Sequence, residues 1–518
     1  YNQPVAERRP YASPNSQIKI SDDADGQERY FTLESSPAIN FGSSSSAVIS
    51  SIRSPFSPQG SQYSCTSDYH QSSDITTATT YCSSPGSGSS GNVDVNKWIY
   101  ALQALSNELL GPEMDIDDGC SFEDPRSSYA EILERAPGMD LKELLMACAE
   151  VVENVKSSHD EQQVAIDLMD KLEDLVSVCG DPLQRLGAYM LEGIRARLLE
   201  SGSVIYKKLK CREPINPSSA DLMSYMHVIY QICPYYKFAY VSSTVIIDEA
   251  TKDENSIHII DFQIAQGSQW ASFVQSVARR RPPPFIRITG VDDPQSAHAR
   301  GGGLHLVGKR LADLADSCGV PFEFHGAAIN GTEVSREDIE IRHGEAVAVN
   351  FPYVLHHMPD ESVTTENHRD RLLHLVKSLS PRVVTLVEQE SNTNTSSFRN
   401  RFREALEYYS AMFESIDAAR PREDRMRIST EENCIARDIV NIVACEGRER
   451  VERHEPFGKW RMRLSMAGFS PVRLDQAAEN AAVEMLKEYS SNYRVGEENG
   501  ALYLWWKERA MSTCSAWR

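Results

Sequence analysis

Between residues 140 and 253, apolar residues recur at alternating intervals of four and three. Leu141, Leu145, Cys148, Val152 and Val155 open the series, and Asp140 stands where it can cap a helix. Two heptads are too few for a coiled coil, so the spacing predicts an ordinary packed helix. Breaks at Gly180-Asp181-Pro182, Gly202 and Pro214 divide this stretch into five or six helices. The period then changes. Short apolar runs at Ile257–Asp261, Phe285–Gly290, Pro321–Phe324, Ala346–Asn350 and Arg382–Glu388 alternate with helical patterns near 268–280, 302–317, 364–379 and 397–416. That alternation predicts βαβ crossovers and a parallel sheet covered on both faces. Further helical patterns at 431–446, 456–467 and 476–488 precede two extended runs, Leu502–Trp506 and Met511–Trp517. The charged turn Lys507-Glu508-Arg509 between these runs predicts an antiparallel pair.

Upstream the pattern fails. Residues 1–91 are rich in Ser, Gly, Pro and Thr, with runs such as Ser43–Ser46, and hold too little apolar surface to offset chain entropy. A disordered regulatory tail is expected there. It contains five Ser-Pro steps open to proline-directed phosphorylation (Ser13, Ser36, Ser54, Ser57 and Ser84) and two short docking islands, Phe31–Ser36 and Ser54–Pro58. Residues 92–139 read as an amphipathic helix carrying Trp98, Leu102, Leu105, Leu109 and Leu110, followed by an acidic linker. Continuous folding is expected from Asp140. The domain reading is therefore a tail (1–91), a linker (92–139) and a folded domain (140–518). In the last, 140–253 forms a mainly helical cap and 254–518 a Rossmann-like core with further cap insertions.

Composition sharpens this picture. The 518 residues carry a formal net charge of −21, and hydrophobic residues are 41% of the chain, below the usual globular share. Acidity disfavours a whole-molecule clamp on phosphate backbones. Yet the tail and linker (1–140) hold 8 basic and 19 acidic side chains, a net of −11, which leaves −10 for the much longer remainder. A local basic groove thus stays open. The eleven cysteines are scattered without a CxxC pair, against a disulfide framework or a structural zinc site and for a reducing compartment. No stretch approaches the roughly 18 consecutive apolar residues of a membrane span. The chain opens on Tyr1 rather than Met and reads as a fragment.

Open α/β sheets bind ligands at the carboxyl ends of their strands. Five parallel strands closing with an antiparallel pair is the strand count of a methyltransferase-like Rossmann sheet, which can be tested there. After Asp261, alternate positions that should be small are Gln263, Ala265 and Gly267, with Gln266 beside them. Gln263 is a bulky amide that would project into cofactor space. Asp292 stands where a ribose-binding acid would sit, and Asn350-Phe351-Pro352-Tyr353 resembles the loop that orients an amine for methyl transfer. The fold follows from these signals more firmly than the chemistry does. Asp261, Gln263, Gln266, Gly267, Asp292 and Asn350 are accordingly candidates for a vestigial ligand pocket.

Several other patterns have plainer readings. Gly303–Arg310 fits GxxxxGK, but Arg310 replaces the Ser or Thr that would hold magnesium, and Leu304, Leu306 and Val307 read as an inward helix face. His356-His357 lacks a second ligand cluster of recognisable spacing and reads as hydrogen bonding at a strand end, and no metal ligands are assigned. His258 reads as a satisfied core histidine, and the LxxLL pattern Leu141–Leu145 as core. Arg279-Arg280-Arg281 is a candidate DNA or nuclear-import contact, or a helix end balancing its dipole. The run Arg448–Arg463 mixes in Glu449, Glu452 and Glu455 and reads as a solvated face.

Ile257-His258-Ile259-Ile260-Asp261 resembles the VHIID signature of the plant GRAS (SCARECROW-like) regulators, with Ile in the leading position. The resemblance continues in family order through two leucine-rich regions, Pro381, the aromatic stretch Phe402–Tyr409 and Arg437-Asp438. It closes with Trp460, Gly468, Trp505-Trp506 and Ser515-Ala516-Trp517. Phe31–Ser36 and Ser54–Gln62 resemble the branch associated with phytochrome A signalling and with chitin- and gibberellin-responsive genes, and the DELLA-type acidic segment is absent. The resemblance implies a Rossmann-like core with a helical cap and a nuclear transcription regulator, with the cytoplasm as a second location. It also implies partners among transcription factors and other GRAS chains, no cofactor and no enzyme activity. The acidic balance favours indirect contact with DNA. Two rivals stay open, an S-adenosylmethionine-dependent methyltransferase or small-ligand protein, and a direct sequence-specific DNA binder.

Overall fold

The computed structural model describes residues 18–20, 29–31, 125–154, 159–202, 219–293 and 303–518. The helix expected at 95–110, the acidic linker and the Ser-Pro steps lie outside them. Within the tail, β1 (Ile18–Ile20) and β2 (Arg29–Phe31) pair antiparallel, with Lys19 opposite Tyr30.

Helix formation begins ahead of Asp140. Helix α1 (Pro125–Arg135) buries Tyr129 in the main core, so folding starts earlier than the pattern indicated. In α2 (Leu141–Asn154), Asp140 Oδ1 accepts from Glu143 N at 2.9 Å and the Glu143 carboxylate accepts from Asp140 N, a capping box. Leu144, Leu145, Cys148 and Val152 face inward, which places the LxxLL residues in the core. The segment continues through α3 (His159–Leu175), α4 (Pro182–Leu198), α5 (Ser219–Ile232) and α6 (Tyr235–Ala250). Asp181 caps α4 by accepting from Leu183 N and Gln184 N. Arg185, fully buried in α4, binds Asp417 at 2.7 Å and Glu431 at 3.2 Å and so ties the cap to later helices.

Five strands run parallel: β3 (Ser256–Asp261), β4 (Phe285–Asp292), β5 (Phe322–Ala328), β6 (Ala346–Pro352) and β7 (Val383–Gln389). Then β8 (Tyr493–Glu498), β9 (Ala501–Trp506) and β10 (Arg509–Trp517) pair antiparallel, with β10 against β7. Together they form one eight-stranded sheet in the order β5-β4-β3-β6-β7-β10-β9-β8. The expected C-terminal pair is therefore a trio. Strand β8 carries no strand pattern in the sequence because Arg494, Gly496, Glu497 and Glu498 leave it almost no apolar run, as suits an exposed edge.

Alternate residues of the inner strands enter two cores. Ile257, Ile259 and Ala348 join the first with the cap helices, whereas Ile260, Val349 and Phe351 join the second. Crossovers run through α7 (Ser268–Val277), α8 (Leu304–Cys318) and α9 (His368–Ser378). Helix α10 (Phe398–Asp417) follows β7, then α11 (Arg425–Thr430), α12 (Ala436–Ala444), α13 (Phe457–Met466) and α14 (Gln476–Leu486). In α8, Leu304 and Val307 pack inward as expected, but Leu306 is 41% exposed and points away. The chain reverses direction across the sheet between β3 and β6, which places the topological switch point at the ends of those two strands.

Candidate functional site

At the switch point, register puts Asp261 beside Gly290 on one side and Asn350 on the other. The Asp261 carboxylate is consumed internally. Its Oδ1 accepts from Gln263 N at 2.8 Å, and its Oδ2 accepts from Trp270 Nε1 at 2.7 Å and Asn350 Nδ2 at 3.1 Å. Burial pushes this carboxyl up to about 6, against the pull of the three donors. Asn350 also donates to Gln269 Oε1 at 3.3 Å and accepts from Thr385 Oγ1 at 2.8 Å, and Gln269 donates to Ser243 Oγ at 2.9 Å. The network thus joins β3, β6, β7, α6 and α7.

The residues that follow Asp261 close over the strand ends. Turned with its nitrogen inward, the Gln263 amide donates to Pro352 O at 3.2 Å and Tyr353 O at 2.9 Å. Ile264 lies over Gly290, where a Cβ would come within 2.7 Å of Ile264 Cδ1. Phe262 stacks on Phe351 with centroids 4.6 Å apart. Gly267 has φ +71°, and a Cβ there would meet Val307 Cγ1 at 2.9 Å, so the glycine serves helix packing. Asp292 is buried at the end of β4, and Gln266 is half-buried on the loop after β3. A cavity of about 70 Å³ remains, lined by Gln263, Tyr236, Tyr353, His356, His357 and Asp438 among others. Ligand pockets run to roughly 300–1,000 Å³, so this one is too small for a nucleoside.

The other signature residues are also packed. His258 is fully buried; Arg287 Nη2 donates to its Nδ1 at 3.0 Å, and its Nε2 faces Thr289 Oγ1 at 2.8 Å. Trp460 lies in the second core with the Arg369 guanidinium 5.0 Å above its ring. Gly468 takes φ +88° where α13 turns toward the bridge between Pro471 and Trp517. Ser515, Ala516 and Trp517 pair with Leu386, Thr385 and Val384 of β7, and Trp517 Nε1 donates to Ser515 Oγ at 3.0 Å.

The basic candidates divide. Arg279, Arg280 and Arg281 follow α7 and precede β4, at the sheet end opposite Asp261. Arg280 donates to Thr251 O at 2.8 Å and pairs with Asp248, while Arg279 and Arg281 are the more exposed members. The run Arg448–Arg463 departs from the expected solvated face. Arg450, Glu452, Arg453, His454 and Glu455 are all buried. Arg448, Glu449 and Arg461 stay exposed, but the buried arginines serve as internal donors: Arg450 binds Asn394 O at 2.9 Å, and Arg453 binds Arg450 O at 2.8 Å and Asn394 Oδ1 at 3.1 Å. Arg463 binds Glu455 at 2.6 Å and Asp360 at 3.0 Å. Alternating charges looked like a surface, but most of their partners lie far away in sequence. The same fold brings Glu388, Glu452 and His454 to His356, a grouping without a local spacing to reveal it.

A helix-capped, mostly parallel α/β sheet whose strand carboxyl ends are covered by the chain's own side chains defines the class. The GRAS domain family's sequence profile matches residues 141–518, and the chain belongs to that family of Scarecrow-like transcription regulators. It is 54% identical to Scarecrow-like protein 13 of Arabidopsis thaliana, over 98% of this chain and 96% of that one. It is 53% identical to Chitin-inducible gibberellin-responsive protein 2 of Oryza sativa (84% and 79% covered). Identity to Scarecrow-like transcription factor PAT1 of Arabidopsis thaliana is 50% (83% and 88% covered). Among solved structures, the crystal structure of SCL7 in Oryza sativa superposes with a TM-score of 0.64 at 32% identity. That match covers 73% of this chain and all of the other.

Proposed function

We propose that this chain regulates transcription in the plant nucleus by docking other transcription factors, and further GRAS chains, onto its folded domain, without catalysing a reaction. One observation carries the non-enzymatic part: the strand-end space is occupied by the chain's own Gln263, Ile264 and the Asp261–Asn350–Trp270 network. An acid that already accepts three internal hydrogen bonds has little left to offer a ribose or an amine. The relative named chitin-inducible and gibberellin-responsive supports a setting in hormone or stress signalling, and the resemblance to the phytochrome A branch extends this to light. Among the described residues no helix is long and apolar enough to cross a membrane.

Calorimetry of the full chain with millimolar S-adenosylmethionine tests the catalytic rival, with no binding heat as the expected outcome. Saturable heat that Asp261→Ala weakens would establish a cofactor site instead. In parallel, reporter activity in plant nuclei should depend on co-immunoprecipitated transcription factors. Sequence-selective DNA binding by the purified chain alone, at physiological salt, would favour the direct mode.

A further inference from the structure

The eight-stranded sheet ends on two edges that differ in character. At one, β8 exposes Arg494, Glu497 and Glu498, charges of the kind that blunt an edge against further pairing. At the other, β5 pairs with β4, and among the described residues no strand lies against its outer side. Its 7 residues include one acid, Glu323, and neither lysine nor proline. His325, Gly326 and Ala328 are exposed there.

Which main-chain groups face outward follows from the register. Ile286 lies opposite Phe322, and Ile286 N donates to Pro321 O at 2.9 Å. In a parallel pair each residue sends its N–H and C=O to the same side, and that side alternates along the strand. The odd-numbered residues of β5 therefore bond to β4, while Phe322, Phe324 and Gly326 present N–H and C=O groups to the outside. Side chains alternate in the same step. Phe324 packs on Gly308 of α8, and a Cβ at Gly326 would stand 2.9 Å from Leu304 Cβ of the same helix. Glu323 and His325 share the opposite face, where the Glu323 carboxylate accepts from Arg342 Nη1 at 2.6 Å and Nη2 at 2.7 Å.

We propose that β5 is a self-association edge, on which a second copy of this chain docks antiparallel about a twofold axis through Phe324. The inference rests on the proposed association between GRAS chains and gives it a place in the fold. In this register Phe324 opposes Phe324, and Phe322 of each copy opposes Gly326 of the other. All of these residues have outward main-chain groups, so about six hydrogen bonds form across the seam. Phe322 meets a residue without a side chain, which lets the large ring fit on the face that α8 covers. On the other face Glu323 of each copy opposes His325 of the other, a carboxylate against an imidazole. The Glu323 carboxylate has lone pairs left for this beyond those that Arg342 takes. Centring the pair on His325 instead would set His325 against His325 and leave Glu323 opposite Ala327. The register through Phe324 is thus the self-complementary one.

Sedimentation equilibrium of the full chain should show a reversible dimer. His325→Glu changes an exposed side chain and sets it against Glu323 of the other copy, so it should raise the dimer dissociation constant about tenfold. Mixing His325→Glu chains with Glu323→Lys chains should restore association, because both cross-strand pairs are then matched again. Hydrogen exchange at two protein concentrations needs no variant. The amides of Phe322, Phe324 and Gly326 should slow as the dimer fills, while those of Glu323 and His325, already bonded to β4, should not. A dimer that His325→Glu leaves unchanged, or concentration-independent exchange at those three amides in a dimeric sample, overturns the β5 assignment and leaves association through another surface. A chain that stays monomeric throughout overturns the assignment together with self-association, whereas the docking of transcription factors is read separately by co-immunoprecipitation.

Discussion

Asp261 illustrates how one side chain changes meaning once its neighbours are known. In a nucleotide-binding sheet an acid at this position faces a ligand; here three protein donors converge on it. Asp261→Asn turns an amide nitrogen toward at least one of those donors. Equilibrium denaturation should record a loss of about 1–3 kcal/mol, the usual cost of an unsatisfied buried polar group. His258 provides a second expectation, for pH. Burial first, then Arg287, lowers its pKa to about 4 from 6.5, while Glu345 at 3.7 Å acts in the opposite sense. The native state keeps His258 neutral while the unfolded chain takes up a proton near pH 6.5. Stability is thus fully present above 6.5 and falls as pH drops toward 4. The wild type should lose on the order of 3 kcal/mol relative to His258→Gln across that window, read from unfolding free energies at each pH. Equal pH profiles would refute the assignment.

Among the elements, the C-terminal trio is decisive, because it completes the sheet beyond β7 and brings Trp517 into the second core. Arg518 N donates to Ser470 O at 3.0 Å and Ser470 N to Arg518 O at 2.8 Å, which fixes the last residue. Trp517→Ala should cost about 3–5 kcal/mol in chemical denaturation, in line with emptying a buried aromatic site. Close approach between elements gives a second measure. A Cβ at Gly308 would stand 2.3 Å from Phe324 Cδ1, so α8 packs on β5 only with glycine at that position. Gly308→Ala should destabilise by about 1–3 kcal/mol through overpacking, visible as a lowered melting temperature.

For the whole molecule, charge matters more through its placement than its sum. Arg450, Arg453 and Arg463 are internal donors while Arg448 and Arg461 stay exposed, and Arg280 is tied to Asp248, which leaves Arg279 and Arg281 as the more exposed members of the Arg279–Arg281 run. If partner factors carry the contact with DNA, Arg279→Ser with Arg281→Ser should leave the salt dependence of any DNA binding unchanged. A slope shallower by about two would show that both arginines neutralise phosphates directly.

The amino-acid sequence by itself determined the helical cap, the five parallel strands and the family, because periodicity, caps and an ordered signature are local features. Ser256–Asp261 and its neighbours appear within a few residues of their expected limits for that reason. Strand β8 was hidden by its polar edge, and the burial of Arg450, Arg453 and Glu455 by charge patterning that resembles a solvated face. What only the tertiary structure decided is how polar groups are satisfied. Whether Asp261 faces a ligand or Trp270, and whether His356 meets Glu452 and His454, depends on how segments separated along the chain come together. Hydrogen bonds and buried charges are matched atom by atom in space, and that matching leaves no period in the chain.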